Sequence, residues 1–234
     1  MIVFLVAVAD QSRFDAIAAP GIERVREPDS LVVTVRPEPG CGPQRALNAA
    51  LDELAGQPDL EAVVILHEDV ELVGLDTAAV VRDAFTDPDV AIAGAIGAQG
   101  VPGLAWWAGI PIGATGTEHV PDGRIAGVIH RGPVDAVDGL VLCLSPWAVR
   151  MLRFDEALAA DFHGYDIDLC FQARYHGRRV EVIPLAVHHR HRALFTDTER
   201  WVRNELRFQH QWIDHRPISE RRHQALAPPA SPPA

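Results

Sequence analysis

Residues 2–9 form an unbroken apolar run that stops at Asp10. A run without polar alternation reads as a strand buried on both faces. The same pattern returns at 62–66, where it meets His67, Glu68 and Asp69 directly, and again at 90–97. Residues 31–40 are rich in β-branched side chains and end at Pro37, Pro39 and Gly40, which predicts a further strand. Between these runs the period changes. Leu47, Leu51 and Leu54 recur at helical spacing within 43–56, and Gly56 ends the segment. Residues 76–89 predict a second helix, with Asp76 placed to cap it and Pro88 to stop it. Strands alternating with helices predict an α/β fold: a mostly parallel central sheet flanked by helices.

From Gly97 to Pro133 the periodicity is lost in a stretch rich in glycine and proline that contains Trp106 and Trp107. Short antiparallel strands are expected near 123–130. A strand over 136–146 and a short helix over 146–152 follow, with Pro146 in the helix's first turn. Then come a helix over 164–177 ended by Gly177, a strand over 178–191, and an amphipathic helix over 197–215. Residues 217–234 form a Pro/Ala-rich tail, expected to be disordered. The pattern predicts one domain over 1–216, and no internal repeat is present.

Composition narrows the function. The chain has 234 residues, 48% of them hydrophobic, which suffices for a substantial core. No apolar run reaches the roughly 20 residues of a membrane helix. The N-terminal run lacks a basic flank and a cleavage site, so it reads as a buried strand, not a signal peptide. Cys41, Cys143 and Cys170 are odd in number and widely spaced, as in a reducing cytoplasm. A cytoplasmic location, with peripheral membrane attachment still open, follows. The net charge of −11 argues against nucleic acid as a partner. There is no lysine. Any phosphate contact must therefore come from arginine, histidine, backbone N–H groups or a metal.

Three polar clusters stand out. His67, Glu68 and Asp69 sit where a doubly buried strand leaves the core, the end at which open α/β sheets bind ligands. Asp166 and Asp168 lie at a helix N-terminus, where the helix dipole favours an ionised carboxylate. His188, His189 and His191 fall on a strand, with His189 and His191 on one face.

The ordered motifs "ALNAAL", "LHEDV", "VDG", "FDE", "YDIDLCFQARYHG" and "VIPLAVHH" resemble the family 2 glycosyltransferases of GT-A fold. Within them, the chain is similar to the branch whose metal motif reads His-x-Asp-Val. The resemblance runs from about residue 43 to 192, with 193–216 as a closing helix. It implies a nucleotide-binding half at 1–95 and an acceptor half at 96–192. It also implies a Mn2+ or Mg2+ ion, a nucleotide-sugar donor and a hydroxyl acceptor, whether saccharide, lipid-linked or a small molecule. An oligomer is compatible with it.

The resemblance makes Asp166 the catalytic base, with Asp168 as either its helper or a structural carboxylate. Asp69 is the metal ligand, joined by His189. His67 lies near the ribose or the metal, with Glu68 beside it. Asp138 and Gly139 line the acceptor side. Asn48 is a further candidate for substrate contact, or bonds a neighbouring loop. Trp106 and Trp107 are placed to stack on a sugar. Tyr165 stands where relatives often carry glutamate. The chemistry expected is inverting glycosyl transfer, in which a divalent cation takes the charge of the departing diphosphate. A catalytically silent sugar-nucleotide binder and a zinc hydrolase built on the same His and Asp residues are the alternatives.

Overall fold

A computed structural model describes residues 1–38, 41–113, 116–117, 131–158, 164–190 and 198–214. The strands expected near 123–130 and the tail at 217–234 lie outside the described residues, as does His191. In chain order the strands are β1 (Ile2–Ala7), β2 (Leu31–Val35), β3 (Ala62–His67), β4 (Val70–Leu72) and β5 (Val90–Gly94). They continue as β6 (Ile96–Gln99), β7 (Ile110–Gly113), β8 (Gly116–Thr117), β9 (Gly132–Val134) and β10 (Ala136–Val137). The last are β11 (Val141–Leu144), β12 (Arg179–Val182) and β13 (Val187–His189).

Among the described residues the central sheet has seven strands in the order β2-β1-β3-β11-β5-β12-β9. β2, β1, β3, β5 and β12 run one way, while β11 and β9 run against them. The sheet is thus mostly parallel, as the sequence predicts. β11 enters it from the irregular region rather than through a crossover helix, so it can insert antiparallel between β3 and β5. Two small sheets, β10-β6-β7 and β4-β13-β8, flank the main one.

The apolar runs are buried on both faces. Val3, Leu5, Val63 and Ile65 pack into one core with Leu47, Leu51, Phe154 and Phe171. Ile2, Phe4, Val6, Val64 and Leu66 pack into the other with Ile22, Val81 and Leu185. Three expected strands prove to be split. The run at 90–97 divides at Ala95 into β5 and β6, and 136–146 divides into β10 and β11. Pro184, which has no N–H for a ladder, separates β12 from β13.

The helical segments are α1 (Gln11–Arg13), α2 (Ala19–Val25), α3 (Gln44–Leu54), α4 (Thr77–Ala84), α5 (Pro146–Met151), α6 (Tyr165–Tyr175) and α7 (Thr198–Phe208). α1 and α2 are joined by a π turn over Phe14–Ala18, and the sequence pattern does not reveal this helical stretch. Pro20 would argue against it, yet it falls in the first turn of α2, where a missing N–H costs least. Asp10 caps the start, accepting from the N–H groups of Ser12 and Arg13 at 2.9 and 3.2 Å. Asp76 does not cap α4 as expected. The Thr77 hydroxyl instead donates to the Gly74 carbonyl at 2.6 Å, and the helix ends well before Pro88.

α6 begins at Gly164, whose φ of +91° is in the left-handed region. A Cβ there would lie 2.7 Å from the Leu104 side chain. This backbone turn aims Tyr165 and Asp166 toward the β3 end of the sheet. Gly164→Ala should lower stability by about 1–2 kcal/mol, the ordinary cost of a side chain in left-handed conformation, read by urea denaturation. An unchanged midpoint would show that the turn is not needed.

Candidate active site

β3 ends at His67, and the chain turns through Glu68 and Asp69 into β4. β13 pairs antiparallel with β4, with His189 opposite Val70. The Arg190 N–H donates to the Asp69 carbonyl at 2.9 Å and closes the pairing. This register brings His189 Nε2 to 3.5 Å from Asp69 Oδ1, while His67 Nδ1 lies 4.0 Å from the same oxygen. One donor atom from each of His67, Asp69 and His189 falls within 4.8 Å of the others. Burial raises the Asp69 pKa, but the facing His189 and His67 rings outweigh that and hold it at about 2. Two imidazole nitrogens and an ionised carboxylate so close together fit one divalent cation.

Glu68 turns elsewhere. Its carboxylate accepts from the N–H groups of Ala9 and Asp10 at 2.7 and 2.9 Å, with Arg13 at 3.6 Å. It fastens the end of β1 to the end of β3.

The second group gathers at the start of α6. Asp166 Oδ2 accepts from the Gly139 N–H at 2.7 Å. Asp138 accepts from the Trp106 indole N–H at 2.9 Å and from the Leu140 N–H at 2.9 Å. The sequence predicts an Asp166 kept ionised by the helix dipole, and the structure differs. Burial, and after it the charge of Asp138, push the Asp166 pKa up to about 7. Gly139 fits because it has no side chain: a Cβ would lie 2.5 Å from the Tyr165 hydroxyl. That hydroxyl is 2.8 Å from His67 Nε2 and 3.2 Å from the Gly139 carbonyl. Tyr165 therefore joins the two groups. Sequence reasoning marks its position as unusual but assigns it no contact, because its partners lie 98 and 26 residues away.

The remaining candidates are placed apart. Asn48 accepts from the Phe154 N–H at 2.9 Å and donates to the Phe154 carbonyl and Glu156 at 2.9 and 3.2 Å, clamping α3 to that loop. Asp168 is fully buried, and its oxygens accept from Trp212 Nε1 at 2.6 Å and Gln172 Nε2 at 2.7 Å. Burial raises its pKa to about 6, against those hydrogen bonds. Its arrangement is that of a packing carboxylate between α6 and the C-terminal helical segment. Trp107 is half exposed beside Trp106, their rings 6.1 Å apart and edge to face.

The mostly parallel seven-stranded sheet flanked by helices matches that of GT-A glycosyltransferases. The chain belongs to the glycosyltransferase-like family, whose profile matches residues 4–216, and is a glycosyltransferase. It is 33% identical over 226 residues to the streptomycin biosynthesis protein StrF of Streptomyces griseus, covering 93% of this chain and 76% of that protein. Its fold is similar to GalNAc-T7, solved with UDP, GalNAc and Mn2+, with a TM-score of 0.62 and 11% identity. That match covers 92% of this chain but only 48% of GalNAc-T7, so the chain spans about half of that protein. The mannosyltransferase PcManGT from Pyrobaculum calidifontis, in complex with GDP-Man and Mn2+, aligns with a TM-score of 0.58 and 13% identity. It is matched over 97% of this chain and 70% of its own. No helix among the described residues is long and apolar enough to cross a membrane.

Asp168→Ala should cost about 1–3 kcal/mol by leaving the Trp212 N–H without its acceptor, with Trp212 fluorescence reporting the loosened contact. Asp168→Asn, which retains an acceptor oxygen, should cost less. Equal losses would show that the carboxylate's charge, not its acceptor role, holds the segment.

Proposed function

We propose that the protein is a metal-dependent inverting glycosyltransferase that moves a sugar from a nucleotide-sugar donor to a hydroxyl acceptor. The observation that carries this reading is the convergence of His67, Asp69 and His189, with Asp166 linked to them through Tyr165 and Gly139. We assign His67, Asp69 and His189 to the cation. A mixed nitrogen and oxygen donor set suits Mn2+ better than Mg2+, which prefers oxygen throughout. When bound, the ion supplies positive charge to the diphosphate as it leaves. No lysine competes for that role.

Asp166 takes the proton of the acceptor hydroxyl as its oxygen bonds to the anomeric carbon and the bond to the diphosphate breaks. A carboxylate at about 7 is a stronger base than an ordinary one and is matched to neutral pH. With one base opposite the leaving group, the displacement is single and inverts the anomeric centre. Asp138 and Trp106 form the acceptor-side wall, and the half-exposed Trp107 stands beside them where a sugar can stack. Glu68, Asn48 and Asp168 serve as scaffold. In this reading residues 1–95 carry the donor, 96–192 the acceptor, and 193–216 close the domain.

The UDP and GDP-Man, each with Mn2+, bound by GalNAc-T7 and PcManGT support the donor class, and the similarity to the streptomycin biosynthesis protein StrF favours a small-molecule acceptor. The three cysteines are free thiols, two of them buried, which supports a cytoplasmic setting.

Thermal denaturation with UDP, GDP, dTDP or CDP, each with and without Mn2+, tests the donor site, because ligands that bind the folded state raise its apparent stability. One nucleotide should stabilise the protein only when Mn2+ is present, and Asp69→Asn should abolish that shift. No metal-dependent shift with any of the four would overturn the assignment.

Asp166→Asn should lower transfer by about a hundredfold or more while leaving donor binding nearly unchanged. For the wild type, kcat/KM should rise with pH through about 7, because Asp166 must lose its proton to act. A flat profile there, or full activity in the variant, would place the base elsewhere.

A further inference from the structure

We propose that Tyr165 is a positioning residue: its hydroxyl fixes the His67 ring in the tautomer that presents Nδ1 to the metal position. The metal half of this inference rests on the cation assignment above, whereas the tautomer half stands without it.

The Tyr165 hydroxyl contacts two groups, His67 Nε2 at 2.8 Å and the Gly139 carbonyl at 3.2 Å. It has one proton to give. A carbonyl oxygen can only accept, so the Gly139 contact is a hydrogen bond only if it receives that proton. The His67 contact must then run the other way, with Nε2–H donating to the hydroxyl oxygen. The opposite assignment, in which the hydroxyl donates to Nε2, makes one hydrogen bond instead of two. It also leaves two oxygens facing each other at 3.2 Å with no proton between them. In a buried site, the arrangement that satisfies both contacts prevails.

A neutral imidazole with its proton on Nε2 has its lone pair on Nδ1. Nδ1 is the nitrogen turned to Asp69, at 4.0 Å from Oδ1. The tautomer chosen by Tyr165 is therefore the one able to ligate a cation beside Asp69 and His189. The other tautomer would direct an N–H at that position and could not ligate.

The tyrosine is held firmly enough to impose this choice. Its ring is buried, with Phe154 edge to face at 5.5 Å. Gly139 leaves room for the hydroxyl, since a Cβ there would come within 2.5 Å of it. The same residue donates its N–H to Asp166. The backbone of one glycine thus accepts, at its carbonyl, from the residue that orients the metal ligand and donates, at its N–H, to the residue placed as the base. Partners of this kind on a ligating histidine typically contribute about 10–100-fold in metal affinity.

The test uses Tyr165→Phe, which keeps the ring and removes only the hydroxyl. Long-range nitrogen–proton NMR of the metal-free protein, at about pH 8.5 and so above the ordinary imidazole range, reads the His67 tautomer directly. His67→Gln identifies the signal. The wild type should show the proton on Nε2, and Tyr165→Phe should lose that preference. Mn2+ titration followed by electron paramagnetic resonance should show weaker binding in Tyr165→Phe, by about 10–100-fold. A wild-type His67 with its proton on Nδ1 would overturn the proposal. So would a Tyr165→Phe protein with unchanged tautomer and Mn2+ affinity while Asp69→Asn loses binding. If the wild type and Asp69→Asn bind Mn2+ equally poorly, the cation assignment itself fails and takes the metal role of Tyr165 with it. The tautomer measured without metal separates that failure from an error about Tyr165.

Discussion

The short antiparallel pairing of Val70–Leu72 with Val187–His189 is the interaction on which the site depends. It joins segments more than a hundred residues apart and sets a single register. A slip of one residue would turn His189 away from Asp69, because neighbouring strand side chains face opposite ways. The pairing is short, so other contacts must hold it. Leu72 and Val187 are buried in the core shared with Val64 and Leu66. Arg24 and Arg190 reach Glu71 at 3.2 and 2.9 Å from the solvent side. Such part-exposed pairs contribute little individually. Apolar burial therefore supplies most of the holding force, and the charges refine the register.

Two carboxylates of this site are driven in opposite directions by what faces them. Asp69 is largely buried, yet the two imidazoles beside it keep it ionised far into acid. Asp166 is buried against another carboxylate, Asp138, and backbone N–H groups only partly compensate. Environments that push two acids apart let one stay a fixed negative charge while the other exchanges a proton near neutral pH. The second condition costs stability at high pH. The fold holds the Asp166 proton more tightly than the unfolded chain does, so the stabilisation from that proton is full below the ordinary carboxylate range and is lost as pH rises through about 7.

What was legible in the sequence follows from the range of the forces involved. Doubly buried strands announce themselves by unbroken apolar runs, and α3 by its leucine spacing, so β1, β3, β5 and the sheet class could be read locally. The position of Asp69 at a strand end came with them. The helical stretch from Gln11 to Val25 was hidden because its Pro20 looks like a breaker and a π turn absorbs the irregularity. Asp76 sits at the N-cap position but its side chain accepts no helix N–H, while the Thr77 hydroxyl ties the turn to the Gly74 carbonyl. Pro184 marks the split of 178–191, because a residue without an N–H cannot continue a ladder. The Asp166 pKa and the Tyr165 bridge were not legible, since both depend on groups brought in by the fold from other strands. Asn48 and Asp168 carry the polar character of site residues but spend it on loop and helix packing.

The triplet His67-Glu68-Asp69 divides its work between two sides of one turn. The outer two residues face each other and His189, and the middle one reaches back to Ala9 and Asp10. Neighbours with separate duties make the effects of exchange separable and those of slippage not. A replacement at one position disturbs one duty. An insertion or deletion of a single residue would rotate all three side chains together, releasing the β1 loop and dispersing the donor atoms in the same event. Among homologous chains, length variation should therefore be absent from this turn and collect elsewhere.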